Sequence, residues 1–125
     1  MNPLHYPSLE LCKKLTEAGF PKTELFYSEW KHTQIQKEYK WIITDTINPW
    51  DYETYKDINV CPSVMELLDE LPRSKNLEIE FRWIEVIVKY TDDRYLKHSF
   101  RWNLLPNALA EMWLWLKEND LLPKK

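Results

Sequence analysis

The chain has 125 residues, of which 44% are hydrophobic, 30% are charged and 14% are aromatic, with a formal net charge of −3 at pH 7. This composition predicts one folded domain with one core and excludes a disordered chain, which would be poor in aromatic and branched residues. Acidic and basic residues are mixed along the sequence. The composition therefore argues against a general nucleic-acid surface, which would need clustered lysine and arginine.

The sequence shows no signal of a membrane or secreted protein. No apolar run approaches the roughly 20 residues that a membrane span needs, and no apolar signal core follows the start. The two cysteines, Cys12 and Cys61, are far apart and form no CxxC pair. We therefore expect a cytoplasmic protein without membrane contact, in which both cysteines are free thiols and Cys12 fills core space on a helix.

The first predicted element is a helix over residues 8–18. Ser8 is a good N-cap, and an apolar stripe that includes Leu15 runs along one face. Gly19, the single glycine of the chain, stands at the position after the helix where a left-handed residue is favoured. Phe20 follows it and is placed to contact Leu15, so the local signals for this helix agree.

Two more helices are predicted further along the chain. Ser63 and Glu66 form a capping box at the start of a helix over residues 64–71. A third helix over residues 108–119 opens at Pro106-Asn107. Its apolar face is unusually broad, which predicts burial on more than one side.

Between the second and third helices the hydrophobic period changes to two, which is typical of strands. Apolar and charged residues alternate from Leu77 to Trp83, and this pattern assigns Trp83 to the core. The phase shifts at Ile84, which predicts a bulge or a passage into the centre of the sheet. A turn is predicted at residues 91–94, and a returning strand at residues 96–102.

An earlier hairpin is predicted from residues 25–31 and 38–45, whereas residues 46–60 show the least regular pattern. The predicted order is α-β-β-α-β-β-α. The fold class is α+β, a single domain over residues 1–125 with an antiparallel sheet of about four strands and three helices packed on it. The order also suggests a repeated helix–hairpin unit.

The sequence carries no catalytic signature, and we predict no catalytic residue, metal or cofactor. The phosphate-binding loop, the dinucleotide fingerprint and the nucleophile elbow all need glycines where the backbone turns sharply or approaches a ligand. The chain has one glycine, so none of these motifs is present. His5, His32 and His98 match no zinc-ligand spacing together with the cysteines, so they are interpreted as ordinary core or surface residues.

One enzymatic alternative stays open. Glu78 and Glu80 are two residues apart on a predicted strand, so both carboxylates project from the same face. A metal-dependent hydrolase or nuclease would need such a pair, although a solvated sheet face is the simpler explanation.

The most unusual feature is the seven tryptophans and seven tyrosines. Trp83, Trp102 and Trp113 fit apolar stripes and are assigned to the core. Five others are harder to place in one small core, and we predict that they bind a partner, because Trp and Tyr dominate interface hot spots. This candidate aromatic set consists of Trp30, Trp41, Trp50, Tyr52 and Tyr55. Stacking of nucleobases or sugars would use the same residues, but the acidic balance makes nucleic acid the weaker alternative.

Three stretches together, residues 7–21, 61–72 and 107–122, consist of helices and their caps. In these stretches the chain resembles a family of small uncharacterised proteins encoded by bacteriophages and by prophages in bacterial chromosomes. The resemblance implies an accessory protein of the bacterial cytoplasm whose partner is a host or phage protein. It transfers no activity, cofactor or site residue, and it leaves homo-oligomerisation open.

Overall fold

The computed structural model describes residues 5–21, 23–32, 37–45, 53–72, 77–92 and 95–122. In this part of the chain, three helices and six strands follow one another in the order α-β-β-β-α-β-β-β-α. The α+β class and the three predicted helices are confirmed. The elements are α1 (Leu9–Glu17), β1 (Phe26–His32), β2 (Lys40–Thr44), β3 (Glu53–Val60), α2 (Val64–Glu70), β4 (Leu77–Phe81), β5 (Val86–Asp92), β6 (Tyr95–Trp102) and α3 (Leu105–Glu118).

The strands form two antiparallel sheets of three strands each, with the orders β2-β1-β3 and β4-β5-β6. The prediction of one sheet of about four strands is therefore wrong in strand count and in the number of sheets. The repeated helix–hairpin unit is not seen either. The central strand of the first sheet is β1, which comes first in the chain among its three strands. The central strand of the second sheet is β5, which comes second among its three, so the two sheets have different topologies.

Strand β3 was not predicted, because a bulge interrupts its alternation of inward-facing and outward-facing residues. Its register against β1 shifts by one residue between Lys56 and Asn59. Asp57 adopts a φ of 51°, a left-handed conformation that aspartate tolerates better than most residues. The bulge is held by side chains: the Ser28 hydroxyl donates to the Lys56 carbonyl at 2.9 Å, and the Asn59 amide donates to the Asp57 carbonyl at 2.7 Å.

The phase shift at Ile84 is a hairpin turn and neither a bulge nor a passage into the sheet centre. Phe81 is paired with Val86, and the Arg82 amide donates to the Glu85 carbonyl at 2.9 Å, which places Trp83 and Ile84 in a two-residue loop. The assignment of Trp83 to the core is wrong, because this side chain is 99% exposed at the end of the hairpin. The loop uses no positive φ, so it carries none of the glycine or asparagine signals of common hairpin turns.

The predicted caps at the starts of α1 and α2 are confirmed. The Ser8 hydroxyl accepts from the Leu11 amide at 3.3 Å. At α2 the Ser63 hydroxyl accepts from the Glu66 amide at 3.2 Å, and the Glu66 carboxylate accepts from the Ser63 amide at 3.0 Å. Both helices therefore begin where the sequence predicts.

The end of α1 is also as predicted, and it connects the helix to α3. Gly19 has a φ of 85°, and the Phe20 amide donates back to the Leu15 carbonyl at 2.9 Å, the bond that defines a Schellman cap. The Phe20 ring then packs edge-on against Trp113, with 4.8 Å between ring centroids.

Helix α3 lies at the centre of the described core and contacts α1, α2, β5 and β6. Leu109, Met112 and Leu116 are fully buried, so the predicted burial of this helix on more than one side is confirmed. The helix begins at Leu105, earlier than predicted. The Asn107 side chain does not cap it and instead accepts from the Ser8 amide at 2.8 Å. Among the described helices none is long and apolar enough to cross a membrane.

The two left-handed residues that end α1 and α3 give a matched pair of stability predictions. A methyl group added at Gly19 has no heavy atom within 4 Å, so Gly19→Ala should cost only the left-handed backbone penalty, about 1 kcal/mol. Asp120 occupies the equivalent position after α3 with a φ of 56°, so Asp120→Gly should stabilise the protein by up to about 1 kcal/mol. Urea unfolding of both variants checks the opposite signs, and a loss in both would contradict the cap assignment.

Candidate functional site

The β4–β5 hairpin presents three neighbouring apolar side chains to solvent at its end. Phe81 is 68% exposed, Trp83 is 99% exposed and Ile84 is 78% exposed. We call these three residues the hairpin tip. Single exposed apolar residues are ordinary, but a cluster of large ones marks an interaction site or an aggregation hazard. The hairpin tip is therefore the strongest candidate for a functional site in the described structure.

A network of charged side chains joins the hairpin to β6 beneath the tip. Glu80 binds Arg82 Nε at 3.0 Å and Lys89 Nζ at 2.6 Å, one cation on each carboxylate oxygen. Glu85 lies 3.8 Å from Arg82 and 3.5 Å from Arg101 of β6. The hydrogen bonds from Lys89 and then Arg82 hold the pKa of the Glu80 carboxyl below its usual range. The charges near the tip are therefore engaged with one another.

The same contacts weaken the two-carboxylate metal hypothesis. Glu78 and Glu80 do lie two apart on β4, but both oxygens of Glu80 already accept from cationic side chains. Within the described ranges, no group of three or more His, Cys, Asp or Glu side chains is placed to hold a metal ion.

Comparisons with protein-family models, with curated proteins and with solved structures find no match for the chain. The assignment of a site therefore rests on the geometry of the described residues.

The candidate aromatic set does not come together as one surface. Trp30 lies directly opposite Tyr55 across β1 and β3, so these two half-buried side chains share a face of the first sheet. Trp41 lies opposite Glu29, the neighbour of Trp30 in sequence, and is therefore on the other face. Trp50 and Tyr52 of the predicted set lie outside the described residues.

Trp41 lines a cleft along strand β2 of the first sheet. Its ring meets the Tyr27 ring edge-on at 5.7 Å between centroids, and Lys13 of α1 places its ammonium 4.8 Å from the Trp41 ring centroid. The cleft has a volume of about 390 Å³ and is lined by Tyr27, Trp41, Ile42 and Ile43. We call it the Trp41 cleft. Among the described residues, two aromatic rings and two isoleucines line it.

His98 behaves as the sequence predicts for a core or surface histidine. Its ring stacks on Trp115 of α3 at 4.9 Å with an angle of 5° between the planes, and it meets Phe100 edge-on at 4.5 Å. The imidazole therefore packs β6 against α3.

Cys12 and Cys61 form an internal thiol pair. Both are fully buried, and Cys12 lies on α1 as predicted. Thr16 brings the two segments together, since its hydroxyl donates to the Cys12 carbonyl at 2.9 Å and accepts from the Val60 amide at 2.9 Å. The hydrogen bond with Cys61, reinforced by burial, strongly raises the pKa of the Cys12 thiol. A protonated, buried thiol is a poor nucleophile, so Cys12 has a packing role.

Sequence reasoning missed the hairpin tip although one signal for it was present. The charged residues Arg82 and Glu85 bracket the apolar pair Trp83-Ile84 at the place where the alternation changes phase. A strand that turns there explains both features at once. Without a glycine at that point, the pattern favoured a continuous strand.

The ion network predicts a specific pH dependence. Because the pKa of Glu80 is lowered on folding, its ion pairs stabilise the protein above the ordinary glutamate pKa, and the gain is lost as the pH falls through the lowered value. Glu80→Gln should therefore be less stable than the parent chain at neutral pH, and this difference should shrink at an acidic pH below the ordinary glutamate pKa of about 4.3. Urea unfolding at both pH values measures this difference. Glu78→Gln is the matched control, and an equal effect in that variant would contradict the role of the network.

The burial of Cys12 and Cys61 predicts that both thiols react slowly with thiol reagents while the protein is folded. Because Cys12 and Cys61 are fully buried and the pKa of Cys12 is raised, a disulfide reagent added at neutral pH should label neither thiol of the native protein quickly. Both should react at once in denaturant. Absorbance of the released thiolate counts the reacting groups, and rapid labelling of the native protein would show that the pair is accessible.

Proposed function

We propose that the chain is a non-enzymatic accessory protein, related to phages or prophages, that binds another protein of host or phage through the hairpin tip. The observation that carries this proposal is the complete exposure of Trp83 between two other exposed apolar side chains. Tryptophan contributes more than most residues to protein interfaces because it buries a large area with few rotatable bonds. Its position at a hairpin end lets it enter a pocket of a partner.

The support beneath the tip favours binding as well. Glu80 holds Arg82 and Lys89, so the hairpin that carries Trp83 is braced on both strands. A braced tip loses less conformational freedom on binding than a mobile loop does, which leaves more of the burial energy for affinity.

Electrostatics separates this proposal from its alternatives. Arg82, Lys89 and Arg101 are each paired with a carboxylate, and the chain carries a formal net charge of −3. Such a surface attracts neither nucleic acid nor an anionic lipid surface strongly, and it suits an apolar pocket on a protein. The hydrolase alternative loses its support because the oxygens of Glu80 are engaged.

The proposed setting is the bacterial cytoplasm. It is supported by the resemblance of the three helical stretches to small phage and prophage proteins and by the use of two adjoining cysteines as buried thiols. Neither observation identifies the partner, so the experiment must find it.

The proposal predicts that Trp83→Ala loses partner binding without losing stability. Because Trp83 makes almost no contact with the rest of the chain, its removal should change the free energy of unfolding by no more than about 0.5 kcal/mol. Affinity for the partner should fall by about tenfold or more, as for a hot-spot residue. Capture from a host or phage-infected lysate, followed by titration of the captured protein against both variants, measures the loss.

Met65→Ala is the matched control for that experiment. Met65 is 67% exposed on α2, so this variant removes an exposed apolar side chain from a different element. It should bind the same partner as the parent chain. The same partners and the same affinities for Trp83→Ala would rule out the hairpin tip as the contact.

A further inference from the structure

Strand β4 is an outer strand of the second sheet, and it leads directly into the hairpin tip. The strand order is β4-β5-β6, and no strand in the described ranges pairs with the side of β4 that faces away from β5. We call this side the β4 edge. Phe81 belongs both to β4 and to the hairpin tip, so the β4 edge and the tip adjoin each other.

The register of the hairpin shows which backbone groups point out of the β4 edge. The Arg82 amide donates to the Glu85 carbonyl at 2.9 Å, so these two residues form a hydrogen-bonded pair. Bonded and non-bonded pairs alternate along an antiparallel ladder, and no register shift interrupts the pairing of β4 with β5. The two glutamates of β4 therefore bond to β5, whereas the amide and carbonyl groups of Leu77, Ile79 and Phe81 point out of the β4 edge.

The inner side chains of β4 lie at the margin of the core. Leu77 and Ile79 are half-buried and pack against core residues, whereas Phe81 is 68% exposed. A strand added along the β4 edge would accept and donate the backbone hydrogen bonds and would cover these side chains with its own inner residues. This is the mode in which a sheet edge binds an extended peptide segment.

Charge distinguishes the two glutamates on the outer face of β4. Lys89 lies directly opposite Glu78 across the hairpin, yet its ammonium binds Glu80 at 2.6 Å. Arg82 binds Glu80 as well. Glu78 is exposed and forms no ion pair with any residue that the structure describes. An added strand would therefore place one of its side chains beside a carboxylate that lacks a cation, which favours lysine or arginine at that position.

The same charges disfavour a second copy of the chain at the β4 edge. Two β4 strands that pair antiparallel with Ile79 opposite Ile79 would set Glu78 of each copy opposite Glu80 of the other. Like charges directly opposite each other destabilise a strand pair. The occupant therefore needs a charge pattern opposite to that of β4 itself.

We infer that the binding partner adds an extended segment to the β4 edge as an antiparallel fourth strand, and that apolar and basic residues alternate in this segment. Its apolar residues would lie beside Ile79 and Phe81, and a basic residue would lie opposite Glu78. The inference rests on the proposed protein-binding role of the hairpin tip. It adds a second contact and the chemistry of the partner that fits it.

Hydrogen exchange measured by NMR tests the inference, with a short capped peptide of alternating lysine and valine as the probe. In the chain alone, the amides of Glu78 and Glu80 should exchange slowly because they bond to β5, whereas those of Ile79 and Phe81 should exchange quickly. When nine-tenths of the chain carries the peptide, exchange at Ile79 and Phe81 should slow by about tenfold.

The opposite edge of the same sheet is the internal control. Ser99 and Arg101 of β6 are paired with the β5 residues that bond to β4, so their amides point out of the β6 edge. The peptide should leave their exchange unchanged. Equal slowing on both edges would overturn the specific role of the β4 edge.

Two modified peptides separate strand addition from simple attraction between charges. A peptide N-methylated on its valines keeps its side chains and charges but loses the donors that face β4, so it should leave exchange at Ile79 and Phe81 unchanged. A peptide with glutamate in place of lysine should bind more weakly than the lysine peptide. Glu78→Lys should reverse that order, and Glu78→Gln, which serves if the first variant does not fold, should remove most of the difference.

The contrary outcomes are equally clear. Slow exchange at Ile79 and Phe81 in the chain alone would show that the β4 edge is already covered, and this would overturn the inference. So would protection by the N-methylated peptide, or no protection by the lysine peptide. None of these results touches the proposed function, which depends on whether Trp83→Ala loses the captured partner.

Discussion

Helix α3 has to satisfy the packing of four neighbouring elements at once, because α1, α2, β5 and β6 all contact it. Two contacts show how this is done. The Asn107 side chain accepts from the Ser8 amide at 2.8 Å, which ties the start of α1 to the start of α3. At the other end of α1, Phe20 packs edge-on against Trp113. One helix is thus positioned at both ends against another, and the second sheet packs on the same helix through His98 and Trp115.

Short-range signals predicted the helices well because the interactions that end a helix lie within a few residues of each other. The capping box of Ser63 and Glu66 and the left-handed Gly19 are both of this kind. The strand count depended on features with no such signal. β3 contains a bulge at Asp57, and the β4–β5 loop turns without glycine, so alternation alone could show neither the third strand of each sheet nor the division into two sheets.

The site was harder to predict than the fold because the burial of a tryptophan depends on residues that are far from it in the sequence. Trp83 and Trp113 both follow apolar patterns in the sequence, yet one is 99% exposed and the other 3% exposed. The difference is that Trp113 lies on the helix that four elements cover, whereas Trp83 lies where a strand reverses. For the same reason, sequence proximity could not show that Trp30 and Trp41 occupy opposite faces of one sheet.

Because Trp83 is exposed at the hairpin tip, the monomer forgoes the free energy that burial of this side chain would provide. Burial of an indole of about 150–250 Å², at about 25 cal/mol per Å², is worth at most roughly 4–6 kcal/mol, and the monomer gains almost none of this from Trp83. A polar residue at position 83 would serve the fold of the monomer equally well and would be safer against aggregation. The unused burial is available only to a surface that covers the tip. The interaction that holds Trp113 in the core, removal of an indole from water, is therefore the one that Trp83 offers to a binding partner.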